Sequence, residues 1–141
     1  MFLIDTNVVS EWRQIPRGRA DPGVVRWTAS RTAAQCFMSV MNVLELERGY
    51  LSLSRRDEAQ AAVLRHWFDH DLLPCFVGRI LPVDHGVALK CASLHVPDPR
   101  PETDALIAAT ALVHGLTVVT RNTRDFAPMG VPTINPWTEN G

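Results

Sequence analysis

The chain has 141 residues, 46% hydrophobic and 21% charged, with a formal net charge of −1. That length suits one globular domain spanning 1–141 with a buried core, and the composition excludes a disordered polymer. The near-neutral charge excludes a strong overall field for nucleic acid, and no apolar run approaches the roughly 20 residues of a membrane span.

In chain order, Phe2-Leu3-Ile4 reads as a strand ending at Asp5, and Asp5 to Ser10 starts a helix with Asp, Thr or Asn available as its cap. Residues 15–19 form a loop, and Asp21-Pro22 opens a short helix through Trp27. Residues 36–40 form a second strand, followed by a helix over 41–53. Another helix, about 56–70, carries Ala59, Ala62, Val63, His66 and Trp67 at helical spacing. Ile80 to Val83 is a third strand whose Pro82 suggests an edge. Residues 84–95 are helical, and Pro97-Asp98-Pro99-Arg100-Pro101 breaks that helix. An apolar helix runs from 103 to 114 and stops at Gly115. Thr117 to Thr120 is a central strand, 121–126 a turn or short helix, and 131–134 a last strand. Strands alternating with helices predict a doubly wound α/β sandwich.

Three carboxylates stand where charge is unexpected. Asp5 closes an apolar strand at its carboxyl end, where open α/β sheets place ligands. Glu45 lies among Val43, Leu44 and Leu46, and Asp104 opens the apolar helix. Each has a plain alternative: a helix cap for Asp5, an ion pair with Arg48 for Glu45, a favourable helix-dipole position for Asp104. Glu47 points away from Glu45, toward solvent. Asn7 could cap a helix or hold Asp5 and a metal-bound water. After the central strand, either Asn122 or Asp125 could complete the cluster.

Oxygen donors without histidine or thiolate favour a hard ion, Mg²⁺ with Mn²⁺ as a possible substitute, and phosphodiester hydrolysis is the chemistry that suits it best. The five histidines form no metal-ligand motif, and the solvated-face reading is preferred for His66 and His70. The three cysteines, Cys36, Cys75 and Cys91, are read as small buried hydrophobes. No phosphate-cradling glycine loop or serine-hydrolase elbow occurs. Thirteen arginines against the single Lys90 permit an RNA substrate without establishing one, because a GC-rich genome biases coding the same way. A phosphatase of the HAD type would need a second Asp where Asn7 stands. A receiver domain would need a lysine at the sheet edge.

Four blocks in order, Leu3-Ile4-Asp5-Thr6-Asn7, Glu45-Leu46 with Gly49, Asp104 with Ile107-Ala108-Ala109-Thr110-Ala111, and Thr120-Arg121-Asn122-Thr123 with Asp125-Phe126, lead to a closing Asn135-Pro136-Trp137. This arrangement resembles the PIN-domain toxins, and within them the VapC ribonucleases of type II toxin–antitoxin systems, including the FitB-like branch. The resemblance implies a PIN-like three-layer α/β/α sandwich with a central, mostly parallel sheet of four or five strands. It also implies a Mg²⁺-dependent endoribonuclease acting on RNA, neutralised by a VapB-like antitoxin, homodimeric alone and a larger hetero-oligomer with its partner. With Met1 leading straight into a strand and no signal peptide, the expected compartment is the cytoplasm. Asp5, Glu45 and Asp104 match the family's three acidic positions as metal ligands. The fourth is often Asp directly after the Thr-Arg pair; here it is Asn122, with Asp125 three residues later, which leaves one firmly held ion as the expectation. Helices near residues 41–75 are expected to receive an amphipathic antitoxin helix. The alternative is a catalytically silent PIN-like module that only binds protein or RNA.

Overall fold

Leu3 and Ile4 are apolar on both faces of one strand, and such a strand can only be satisfied in the middle of a doubly covered sheet. A computed structural model of the chain describes residues 1–138 and places them there. Five strands, β1 (Phe2–Ile4), β2 (Cys36–Ser39), β3 (Ile80–Leu81), β4 (Thr117–Val119) and β5 (Thr133–Ile134), form one sheet in the order β3-β2-β1-β4-β5. Every pairing is parallel, with Leu3 opposite both Phe37 and Val118. The edge position that Pro82 suggests is the one found: β3 ends at Leu81, just before the proline, and is an edge strand.

The helices are α1 (Thr6–Trp12), α2 (Pro22–Ala29), α3 (Val40–Ser54), α4 (Glu58–Trp67), α5 (His85–Leu94), α6 (Glu102–His114) and α7 (Thr123–Phe126). Side chains alternate across the strands, so two cores form. Leu3 and Val118 pack with α5, α6 and α7 on one face; Ile4, Met38 and Val119 pack with Val8, Val9, Trp27 and Leu46 on the other. The chain has the layered architecture expected of it.

Several boundaries differ from the sequence reading for identifiable reasons. The helix expected over 56–70 ends at Trp67, passes through a π-helical turn at Phe68–Leu72 and then a 3₁₀ turn at Leu73–Phe76. Its inward face is Ala61, Leu64, Arg65 and Phe68; Ala62 and Val63 are exposed. Glu47, expected in solvent, instead pairs with Arg65 at 2.6 Å, which draws the Arg65 stem onto the core side beneath Tyr50 and Phe68. The apolar helix begins at Glu102, one residue early, and ends at Gly115 in the left-handed conformation (φ 67°). The last strand shrinks to Thr133–Ile134. Cys36 and Cys91 are buried as expected, but Cys75, on the 3₁₀ turn, is exposed.

The C-terminal segment closes over the start of α2. Asp21 caps that helix through Gly23 N–H and Val24 N–H, and a β-carbon on Gly23 would lie 2.5 Å from Pro136 O and 3.1 Å from Trp137 O. No real side chain tolerates that approach to backbone. Gly23→Ala is therefore expected to lower stability by about 1–3 kcal/mol, seen as an earlier midpoint in urea with an unchanged slope. An unaltered midpoint would mean that the segment carrying Pro136 shifts at no cost.

Candidate active site

Parallel strands followed by helices put the sheet's carboxyl edge, helix N-termini and loop residues in one crevice. Asp5 sits at that edge. Its backbone N–H extends the β1–β4 ladder by donating to Val119 O, and the residue is only 7% exposed. The carboxylate accepts from Thr6 N–H at 2.8 Å and from Asn42 Nδ2 at 3.4 Å through Oδ1, and from Thr120 Oγ1 at 2.7 Å through Oδ2. It does serve as the cap of α1, but capping uses one donor among three.

Glu45 reaches the same crevice from α3. Its Oε1 accepts from Thr6 Oγ1 at 2.7 Å, and that hydroxyl in turn accepts from Asn42 Nδ2 at 3.1 Å. An ion pair with Arg48 is not found among the described residues. Asp104, third residue of α6, is half-buried and has no protein hydrogen-bond donor among the described residues. Asp125 sits in the first turn of α7.

These carboxylates act on one another electrostatically, although no three of them have oxygens that all lie within 4.8 Å of one another among the described residues. Burial, outweighing its hydrogen bonds, pushes the Asp5 carboxyl above its ordinary value, and the Asp125 charge adds to the rise. Glu45 is raised by burial and by Asp5, against the hydrogen bond from Thr6 and the Arg48 charge. Asp104 is raised by burial first, then by Asp5, Asp125 and Glu45 together. Clustered carboxylates with too little compensating cation hold their protons harder than isolated ones. Asp125 thus shares the field of Asp5 and Asp104. Asn122 is exposed, and its backbone N–H donates to Thr120 Oγ1.

The framework that aims these groups is largely invisible to the sequence reading. Asn42, fully buried, accepts from Ser39 N–H through Oδ1 and spends Nδ2 on Asp5 and Thr6. Thr120, also fully buried, accepts from Asn7 Nδ2 at 3.3 Å while donating to Asp5. Asn7 Oδ1 accepts from Arg121 N–H, so Asn7 steadies Asp5 through Thr120. Two signals in the sequence point to it: Asn7, two residues after Asp5, and the Ser39-x-x-Asn42 spacing of a capping box.

A second group of possible ligands, Cys91, His95 and Glu102, meets where α5 and α6 join. His95 Nδ1 accepts from Arg100 N–H at 3.0 Å, so its proton belongs on Nε2, which faces Glu102 Oε2 at 3.4 Å. A protonated nitrogen offers no lone pair to a metal. These side chains lie together at the bend, with His95 Nε2 making no hydrogen bond among the described residues. His66 and His70 lie ring to ring at 4.3 Å, with no third ligand gathered among the described residues.

The PIN domain family profile matches residues 2–131, almost the whole described chain. The chain belongs to the PIN-domain family. Over 143 aligned residues it is 38% identical to the toxin FitB of Neisseria gonorrhoeae, covering 97% of this chain and 99% of that one. It is 31% identical to the VapC ribonuclease Y4jK of Sinorhizobium fredii, covering 97% and 98%. The crystal structure of FitAcB from N. gonorrhoeae superposes with a TM-score of 0.88 at 35% identity, over 99% of this chain and 100% of the other. The PIN-fold sheet and its flanking helices are thus shared at full length with VapC and FitB toxins.

Proposed function

We propose that this protein is a metal-dependent endoribonuclease, the toxin of a toxin–antitoxin pair. The observation that carries the reading is the gathering of Asp5, Glu45, Asp104 and Asp125 at the sheet's carboxyl edge, where Thr6 links Asp5 to Glu45 and where burial first, then neighbouring carboxylates, raise Asp5, Glu45 and Asp104. An all-oxygen, under-neutralised cluster of this kind fits a hard divalent cation, Mg²⁺ or Mn²⁺. A relative over nearly its full length bears the name VapC ribonuclease, and another the name toxin.

Asp5, Glu45 and Asp104 would hold the ion, with Asp125 as the fourth carboxylate and Asn122 a neutral neighbour. When bound, the ion lowers the pKa of a coordinated water and neutralises charge growing on the phosphoryl oxygens. The chain's own contribution is aim. Thr6 ties Asp5 to Glu45, Asn42 donates to Asp5 and to the Thr6 hydroxyl, and Thr120 fixes the second oxygen of Asp5, so Asp5 and Glu45 are held in place on the protein side. Such rigidity favours in-line attack on one positioned phosphodiester.

Solved neighbours include FitAB bound to a DNA fragment and a toxin–antitoxin complex from Klebsiella pneumoniae, which supports a cognate antitoxin as partner; a homodimer within a larger assembly is part of the proposal. No helix among the described residues is long and apolar enough to cross a membrane, in keeping with action in the cytoplasm. The direct test is incubation of purified protein with total RNA at millimolar Mg²⁺, against a chelated control, followed by mapping of new ends. Discrete, chelator-sensitive cleavage is expected; intact RNA at every metal concentration overturns the reading in favour of a silent binding module. Expression without the partner should arrest growth.

A further inference from the structure

The two helices that bring Thr6 and Glu45 to the carboxylates carry arginines at their opposite ends. Along α1 and its C-terminal extension, Thr6, Ser10 and Arg13 share one face; along α3, Glu45, Gly49 and the following Arg56 do the same. Both helices leave the sheet at its carboxyl edge, so their acidic ends lie together and so do their basic ends. Between them and α4 runs a groove of about 390 Å³, walled on its apolar side by Leu53, Leu64 and the half-buried Trp67. At about 1.5 Å per residue, Arg13 stands about 10 Å along α1 from Thr6.

The basic end wants an anion. Arg13 Nη2 is buried and has no hydrogen-bond partner among the described residues. Burial, and then the charge of Arg17, pull the Arg13 guanidinium below its ordinary pKa. By contrast, the guanidinium of Arg79 is spent on the carbonyls of Ala33, Cys36 and Cys75. A buried donor left unpaired is costly, and phosphate is the natural match for a guanidinium. Nothing lies within 4 Å of where a β-carbon on Gly49 would sit, so the middle of the groove stays open.

We propose that this groove is a subsite for the RNA backbone, in which Arg13 and Arg56 bind a phosphate upstream or downstream of the one held at the carboxylates. Trp67 in the wall offers a stacking surface for an intervening base. A strand with regularly spaced phosphates satisfies both ends of the groove at once, one through metal and one through arginine. An acidic peptide could neutralise the arginines, but it would gain nothing at Glu45. This assignment rests on the ribonuclease reading and adds where the substrate runs.

The test uses the full chain carrying Asp104→Asn, which removes cleavage, and a fluorescein-labelled random-sequence 12-mer RNA as probe. Adding Arg13→Gln or Arg56→Gln should weaken binding about tenfold, and should lower the slope of log Kd against log salt by about 0.7, the amount for one phosphate no longer neutralised. Gly49→Leu, a better helix former projecting into open space, should fold normally and weaken binding to a similar extent. Arg55→Gln removes the same charge from a neighbouring position outside the groove and should stay within about twofold of the parent. Arg13→Gln and Arg56→Gln behaving like Arg55→Gln overturns the proposal. So does unchanged RNA affinity with abolished capture of the antitoxin, which would make the groove a peptide site. Failure of the ribonuclease reading is seen separately, as intact RNA with the unsubstituted protein.

Discussion

Asp104→Asn is expected to reduce RNA cleavage by about 10³-fold while raising the melting temperature of the metal-free protein. The two effects share one cause. Asp104 is raised by burial first and then by Asp5, Asp125 and Glu45, and has no protein donor among the described residues to offset them. Neutralising it removes repulsion without breaking a hydrogen bond to any described residue, and a gain of about 0.5–1 kcal/mol is reasonable for a partly exposed member of such a cluster. Asp5→Asn should be equally inactive but less stable than Asp104→Asn. An amide there presents a donor to Thr6 N–H or to Thr120 Oγ1, both of which already donate. Differential scanning calorimetry and a labelled-RNA cleavage assay on the two variants decide the matter. If Asp104→Asn melts earlier than the parent, Asp104 is a structural residue and the cluster interpretation fails.

Mg²⁺ should stabilise the unsubstituted protein strongly at neutral pH and hardly at all near pH 4. The sign follows from the raised carboxyls. Asp5, Glu45 and Asp104 hold protons more tightly folded than unfolded, so the native state binds more protons between the two sets of pKa values. The stabilisation they contribute in protonated form is present below the unfolded values and is lost as pH rises through the folded ones. Metal-free protein should therefore lose stability as pH climbs from about 4 toward neutrality, as far as these groups are concerned. Mg²⁺ binds the deprotonated form and reverses the trend. At a hundredfold excess over its Kd the ion adds about 2.7 kcal/mol, a shift on the order of 10 °C for a domain of this size. Melting curves across pH with and without Mg²⁺ provide the measurement. Superimposable curves at pH 7.5 would remove the metal from the proposal, and the Asp104→Asn variant should show that loss of response directly.

The parts of this molecule legible in its sequence are those governed by short-range rules. Leu3-Ile4-Asp5 announces a buried strand with a charge at its exit, and Gly115 announces the end of α6, because strand burial and helix termination act over a few residues. Side chains whose partners lie across the fold are harder to foresee. Asn42 looks like an ordinary polar residue early in a helix; only the crossing of α3 beside α1 turns its amide toward Asp5 and Thr6. The same crossing gives Glu45 a hydroxyl partner from residue 6 instead of the arginine one turn away. In α4 the apolar residues suggest one face and the fold uses another, because Arg65 buries its stem and is neutralised by Glu47 from α3. That the turn after β4 brings the Asp125 charge to bear on Asp5 is likewise a property of the fold and not of the spacing.

β1 is made before the other strands and lies at the centre of the sheet, yet its partner β4 begins at Thr117, whose N–H donates to Met1 O. Synthesis must deliver every residue between them before that pairing closes, and loop closure over such a distance is slow. The sheet's carboxyl edge is consequently incomplete for most of the time the chain spends on the ribosome. Truncated products ending before residue 117 lack β4 and β5 and should be inert and short-lived.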